Sequence, residues 1–256
     1  MLAVMGLGWS LLPKTNLASA QDSDGAEALP ALTEEQVEGI VRDYLLENPE
    51  IIERAMANLQ AKREREAALR AQQAIVEQRE LLFNNALDPV VGNPEGDVEM
   101  VHFFDYQCGF CKGMAQDLAN TLEESGRVRA KFKEFPILGP ESVIASRVAM
   151  AADRQGKYWE VHQALMNNRG RLSEPLIMAL AQNAGVDMEK LRVDMNDPII
   201  LIHLQENRRM AERLGITGTP GFVIGQQIYR GSMSPTRLNE AIDLAAPSDQ
   251  TDDQRG

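Results

Sequence analysis

The sequence predicts an α/β domain that carries a helical insertion and is preceded by an N-terminal helical region. Three observations lead there. A compact apolar run, Met100-Val101-His102-Phe103-Phe104, has the composition of a buried central strand, and a tight turn and a helical pattern through Met114, Leu118 and Leu122 follow it at once. Helical periodicity then dominates from about residue 140 to 214, before a short β-hairpin and a last helix. Upstream, residues 50–88 contain neither Gly nor Pro and are rich in Ala, Gln, Glu and Arg. A chain of 256 residues has room for one main domain and an appendage.

At the N-terminus, residues 2–12 form an apolar run too short to span a bilayer, followed by Pro13 and by Ala18-Ser19-Ala20. The pattern predicts a signal peptide, residues 1–20, cut after Ala20, although no charged side chain precedes the run and Lys14 follows it. Residues 21–32 are small, polar and acidic and read as a flexible linker. The helical region, residues 33–88, opens on a capping box, Thr33 with Gln36, and Val37, Ile40, Val41, Tyr44 and Leu45 follow at helical spacing as far as Asn48-Pro49. A second helix carries Ile51, Ile52, Ala55, Met56 and Leu59, then the charged residues 62–66, then Ile75, Val76, Leu81 and Leu82. Two readings stand side by side. Either the apolar strip joins subunits as a stalk or coiled coil, with residues 62–66 as a flexible joint, or the helix lies solvated across its own domain.

The main domain is expected over residues 89–246. Asp88-Pro89 and Gly92-Asn93-Pro94 read as turns ahead of the first strand. A second strand covers residues 128–135, with Val128, Ala130 and Phe132 turned inward and Arg129, Lys131 and Lys133 turned to water. Helical pieces follow at residues 143–151, 158–166, 176–184 and 199–214. Phe222-Val223-Ile224 and Gln227-Ile228-Tyr229 flank a Gly225-Gln226 turn, and Ser234-Pro235 starts a helix ending near Ala245. Residues 247–256 read as a disordered acidic tail.

The net charge of −12, with no long Lys/Arg block, argues against nucleic acid as a partner. The chain has only two cysteines, Cys108 and Cys111. Their bridge would close too short a loop to stabilise a fold, so the pair's value lies in chemistry. Disulfide exchange needs a thiolate, and Cys108 at the first turn of a helix meets unpaired backbone N–H groups and the positive end of the helix dipole. Cys111, one turn deeper on the same face, is placed to resolve a mixed disulfide. Half a zinc site has the same spacing, but a second pair is missing and His102, His162 and His203 are scattered, so neither a metal site nor a cofactor is expected.

VHFFDYQCGFCK, residues 101–112, together with Gly218-Thr219-Pro220 and the helical insertion, resembles the thioredoxin-fold disulfide oxidoreductases of the DsbA type from bacterial periplasms. YLLENPEIIERA at residues 44–55 and VVGNPEGDV at residues 90–98 look like the subgroup that includes the copper-sensitivity suppressor protein C, in which such helices can mediate oligomerisation. The resemblance implies a thioredoxin fold, a periplasmic location, catalysis by Cys108 and Cys111, and a cis Thr219-Pro220 bond beside the pair. Gly109, Phe110, Thr219 and Pro220 would then shape substrate binding, with the Thr219 hydroxyl directed at the sulfurs. Threonine before this proline resembles the isomerase-type members, so a moderate oxidant or an isomerase is expected. The family commonly has an acidic residue where this chain has His102, which leaves two roles open: a base or thiolate partner, or a core histidine. Asp105, at the strand end, reads as a cap or solvent-facing turn residue.

The leading function is therefore formation or isomerisation of disulfides in exported, cysteine-containing proteins, with a membrane redox partner recharging the pair and the subunits assembled as a trimer or dimer. The alternative is a copper(I)-binding module using the same thiolates as soft ligands.

Overall fold

The structure, a computed structural model, describes residues 32–247. The expected signal peptide, residues 21–31 of the linker and residues 248–256 of the tail lie outside the described residues. The chain divides into two compact units between Ala57 and Asn58.

In the first unit, α1 (Glu34–Glu47) starts on a reciprocal cap: Gln36 N donates to Thr33 Oγ1 at 3.3 Å and Thr33 N donates to Gln36 Oε1 at 3.0 Å. Such a box adds about 1 kcal/mol to helix stability. No residue of α1 is buried. After Asn48-Pro49, α2 (Glu50–Glu77) runs unbroken through residues 62–66. That charged segment is thus helix rather than the expected joint: all five residues are good helix formers, and Glu66 pairs with both Lys62 and Arg70 at 4.0 Å along one face.

In the second unit the end of α2 buries Ala71, Ala74 and Ile75, and α3 (Arg79–Phe83) buries Leu82 and Phe83. A five-stranded sheet follows in the order β1-β3-β2-β4-β5, from β1 (Val90–Gly92), β2 (Val98–Phe104), β3 (Val128–Glu134), β4 (Gly221–Ile224) and β5 (Gln227–Arg230). β2 and β3 are parallel and every other pairing is antiparallel. α4 (Gly109–Ser125) connects β2 to β3. The helical insertion is α5 (Pro140–Asp153), α6 (Tyr158–Asn167), α7 (Glu174–Asn183), α8 (Met188–Asp194) and α9 (Pro198–Arg213), and α10 (Pro235–Ala245) closes the domain. Two elements escape the periodicity. β1 is an edge strand of three residues between prolines, and α8 is a short helix whose N-cap, Asp187, accepts from Glu189 N and Lys190 N.

Both faces of the sheet are covered. Met100, Phe104, Ala130, Phe132 and Phe222 face a large core that includes residues of α4, α5, α6, α7 and α10. Val101, Phe103 and Val223 face a smaller one with Ile75, Leu82, Phe83, Met210 and Leu214. The second core overturns the expectation that Lys131 and Lys133 point into water. Both are buried, Lys131 donating to the carbonyls of Asn85 at 3.0 Å and Asp88 at 3.1 Å, Lys133 to the carbonyl of Leu81 at 2.8 Å and to the Asp88 carboxylate. Arg129, nearer the strand start, stays half-buried beside Glu99. Alternation correctly separates the two sets of residues, but the wet face is roofed by α3 and α9.

At the end of β3 the large core encloses a carboxyl. Tyr106 and Tyr158 donate to the same oxygen of Glu134 at 2.8 and 2.9 Å, and the Tyr106 hydroxyl also contacts His162 Nδ1 at 3.1 Å. Burial, opposed by the hydrogen bonds from the two tyrosines, raises Glu134 to about 8. Because the folded-state value lies above the unfolded one, the protonated carboxyl favours the folded chain fully below pH 4.5, and this contribution is lost as pH rises through 8. Glu134→Gln keeps a neutral acceptor. Chemical denaturation at several pH values is expected to show the variant gaining on wild type from pH 4.5 to 8, and a constant difference across that range would refute the assignment.

Candidate active site

The site begins where β2 stops. Asp105 closes an Asx turn by accepting from Gln107 N at 2.7 Å, and its carboxylate also accepts from Ser142 Oγ at 2.7 Å and from the N–H groups of Ile137 and Leu138 at 2.8 and 2.9 Å. It is buried, which corrects the solvent-facing expectation. Those four donors replace water. The turn delivers Cys108 to the N-cap of α4, where its sulfur accepts from Cys111 N at 3.4 Å, the place that a Ser or Asp oxygen usually takes.

The cis peptide bond Thr219-Pro220 brings a second segment to the same sulfur, with the Thr219 carbonyl oxygen 3.3 Å from Cys108 Sγ. β4 starts at the next residue and pairs with β2 through Gly221 and Phe103. A Cβ at Gly221 would sit 2.6 Å from Ile216 Cγ2, so the close approach of this segment requires glycine. Gly109 and Phe110 form the outward tip of the motif, Phe110 being 72% exposed.

The two thiols are free and differ sharply. Hydrogen bonding from Cys111, assisted by Thr219 and by the N–H groups of Cys111 and Phe110, outweighs burial and lowers Cys108 to about 5. Burial, reinforced by the neighbouring Cys108, pushes Cys111 far up. The contact that Thr219 makes with the Cys108 sulfur is through its backbone carbonyl, which the sequence did not foresee. Near neutral pH the arrangement presents a thiolate in front and a thiol behind. Among the described residues, no group of three or more His, Cys, Asp or Glu is arranged to hold a metal ion.

Residues 84–244 match the thioredoxin family. The chain belongs to that family. Within it the chain is ScsC-like, because residues 34–66 match the N-terminal domain of the copper resistance protein ScsC. This thioredoxin-family chain is similar to a thioredoxin-like oxidoreductase from Silicibacter pomeroyi DSS-3, at 39% identity and a TM-score of 0.64 over 65% of this chain and 96% of that one. A linker-deleted mutant of Proteus mirabilis ScsC matches at 27% identity and 0.65 over 86% and 98%, and Salmonella enterica Typhimurium BcfH at 29% and 0.71 over 82% and 95%. Curated relatives include a Na(+)/H(+) antiporter NhaA of Salinispora arenicola, 25% identical over 160 residues. The match covers 62% of this chain and 24% of that protein, so the chain spans about a quarter of the length of the curated relatives it matches. No helix among the described residues is long and apolar enough to cross a membrane.

His102 lies on β2 in register with Phe132 and Phe222, as the strand reading requires. Its ring stacks on Phe222 at 4.4 Å and 2°, meets Phe132 edge-on at 5.3 Å, and has no hydrogen-bond partner at either nitrogen. Burial, then the nearby His162, holds its pKa well below the usual value, so it is neutral. Of the two roles left open, the geometry favours the core histidine. Leaving such a ring unpaired costs about 1–3 kcal/mol. His102→Leu is therefore expected to unfold at higher denaturant and to leave the thiolate absorbance titration unchanged. A shifted titration would return His102 to the redox chemistry.

Proposed function

We propose that the chain is an exported thiol–disulfide oxidoreductase that forms or reshuffles disulfides in cysteine-containing periplasmic proteins. The carrying observation is the asymmetry of the pair: one sulfur caps a helix, which favours its thiolate, while its partner lies behind it and is buried, which favours its thiol. The Cys108 thiolate attacks a client disulfide, bonding to one client sulfur and releasing the other as a thiolate. Cys111 then passes its proton to the client thiolate already released and attacks the Cys108 sulfur, expelling the second client sulfur as a thiolate. Two electrons have passed to the client and the Cys108–Cys111 disulfide is left. The reverse sequence oxidises a client dithiol, and in isomerisation the client's own thiol releases Cys108. A membrane partner recharges the pair in either direction. The signal-like N-terminus and the family support the location, and Thr219 supports a moderate oxidant or isomerase.

Limiting iodoacetamide on the reduced protein, followed by peptide mapping, is expected to label Cys108 with a rate midpoint near pH 5 and to spare Cys111. Cys111→Ser is expected to accumulate client mixed disulfides, since the resolving attack is gone. Equal labelling of the two cysteines, or no trapped client, would sink the reading.

We also propose that the first unit joins subunits into a trimer or dimer. Val37, Ile40, Val41 and Tyr44 of α1 are exposed, and so are Ile52 (48%) and Met56 (67%) of α2. These residues lie within the segment matching the ScsC N-terminal domain. Contiguous exposed apolar residues at helical spacing gain free energy by covering one another. By light scattering, wild type is expected to be oligomeric and the Ile52→Asp/Met56→Asp variant monomeric, the variant losing efficiency in reshuffling scrambled disulfides more than in simple thiol exchange. A monomeric wild type would exclude the assembly.

A further inference from the structure

Three cations, Lys112, Arg169 and Arg171, lie on the first turns of α4 and on the loop that Lys112 contacts, in a chain whose net charge is −12. Lys112 follows Cys108 by four residues and so stands one turn along the same face of α4. Its ammonium donates to the carbonyl of Asn168 at 2.6 Å, tying down the start of the loop between α6 and α7. At the far side of that loop, Arg171 pairs with Glu141 at 3.8 Å. Glu141 is followed by Ser142, whose hydroxyl contacts Gln107 at 3.4 Å, and Gln107 is the residue before Cys108. The loop is thus held to α4 one turn after the reactive sulfur and to the start of α5, whose Ser142 contacts the residue before that sulfur. Arg169 follows Asn168 in the same loop, its charge opposes that of Lys112, and it makes no ion pair among the described residues. Glu141 is paired with Arg171, and Asp105 is already engaged by four donors. Arg171 is 83% exposed and Lys112 keeps two N–H groups beyond its single bond.

We infer that Lys112, Arg169 and Arg171 form a cationic lip that selects client cysteines flanked by acidic residues. This rests on the exchange chemistry proposed above and names the class of client. The lip raises the encounter rate with acidic segments and holds their carboxylates beside the attacked disulfide, while clients with basic flanks are repelled. The occupant is a polypeptide segment. A small anionic thiol such as glutathione would meet the same charges but with fewer carboxylates, so it serves as a comparison.

The test uses the reduced full-length protein and three peptides carrying one cysteine, flanked by Asp/Glu, by Ser/Gly or by Lys/Arg, each as its mixed disulfide with 2-mercaptoethanol. Every rate is divided by that of dithiothreitol with the same peptide, which removes the flanks' effect on the peptide sulfur itself. At low ionic strength the acidic peptide is expected to react roughly tenfold faster than the basic one, a ratio that shrinks towards one at 0.5 M salt. In the Arg169→Gln/Arg171→Gln variant the ratio is expected to fall to about twofold or less, and in Arg169→Lys/Arg171→Lys to return to the wild-type value. A wild-type ratio of one, or a ratio that survives the Gln substitutions, overturns the lip while leaving the exchange reading intact. Failure to react with any of the three peptides, or with glutathione disulfide, overturns the exchange reading itself.

Discussion

The hydrogen bond from Cys111 N to the Cys108 sulfur does two things at once. It satisfies one of the orphan donors at the start of α4, and it makes the anionic form of the sulfur the better cap. A helix start that prefers an anion stabilises the reduced pair, and a stabilised reduced form makes a disulfide a better oxidant. The surroundings follow from holding that one residue at the helix front. β2 must end at Phe104, Asp105 must turn the chain with all its acceptor positions filled, and β4 must arrive with Thr219 and Pro220 against the sulfur. None of these groups has freedom to drift, because β2 is pinned between β3 and β4 and packed on both faces.

The second core explains how a strand with a basic outer face becomes part of a buried sheet. Lys133 and His203 both meet the Asp88 carboxylate, His203 Nε2 at 2.8 Å from Asp88 Oδ1, and the side chains of all three are inaccessible to solvent or nearly so. Buried ion pairs of this kind contribute little net stability, because desolvation offsets attraction, but losing one partner is costly. Their consequence is positional: the connection between α3 and β1 is fixed to β3 by an ion pair and to α9 by a hydrogen bond, as well as by packing. A register error there would strand a carboxylate and an ammonium away from water.

Charge is distributed unevenly between the parts. The long helix α2 carries interspersed acidic and basic residues in solvent, whereas β3 buries Lys131 and Lys133. The apolar surface is also segregated, with α1 and the first turns of α2 leaving theirs uncovered.

Much of this was legible in the sequence, because it depends on neighbours. The capping box at Thr33, the buried run of β2, the helix beginning at Cys108 and the hairpin at Gly225 are local patterns whose physics closes within a few residues, whereas the cis bond at Pro220 was expected only from the family resemblance. The cysteine pair was legible for the same reason: spacing and helix position set its chemistry. Tertiary structure decided the rest. Alternation in β3 sorted its side chains into two sets but did not say that α3 and α9 would cover the lysine side, since burial belongs to the partner surface rather than to the strand. Asp105 looked exposed because its partners, at residues 137, 138 and 142, lie more than thirty positions away. His102 was ambiguous until Phe132 and Phe222 closed around it and left its nitrogens nothing to bind. A sequence states what each residue can offer, and only the folded chain determines which offers are met.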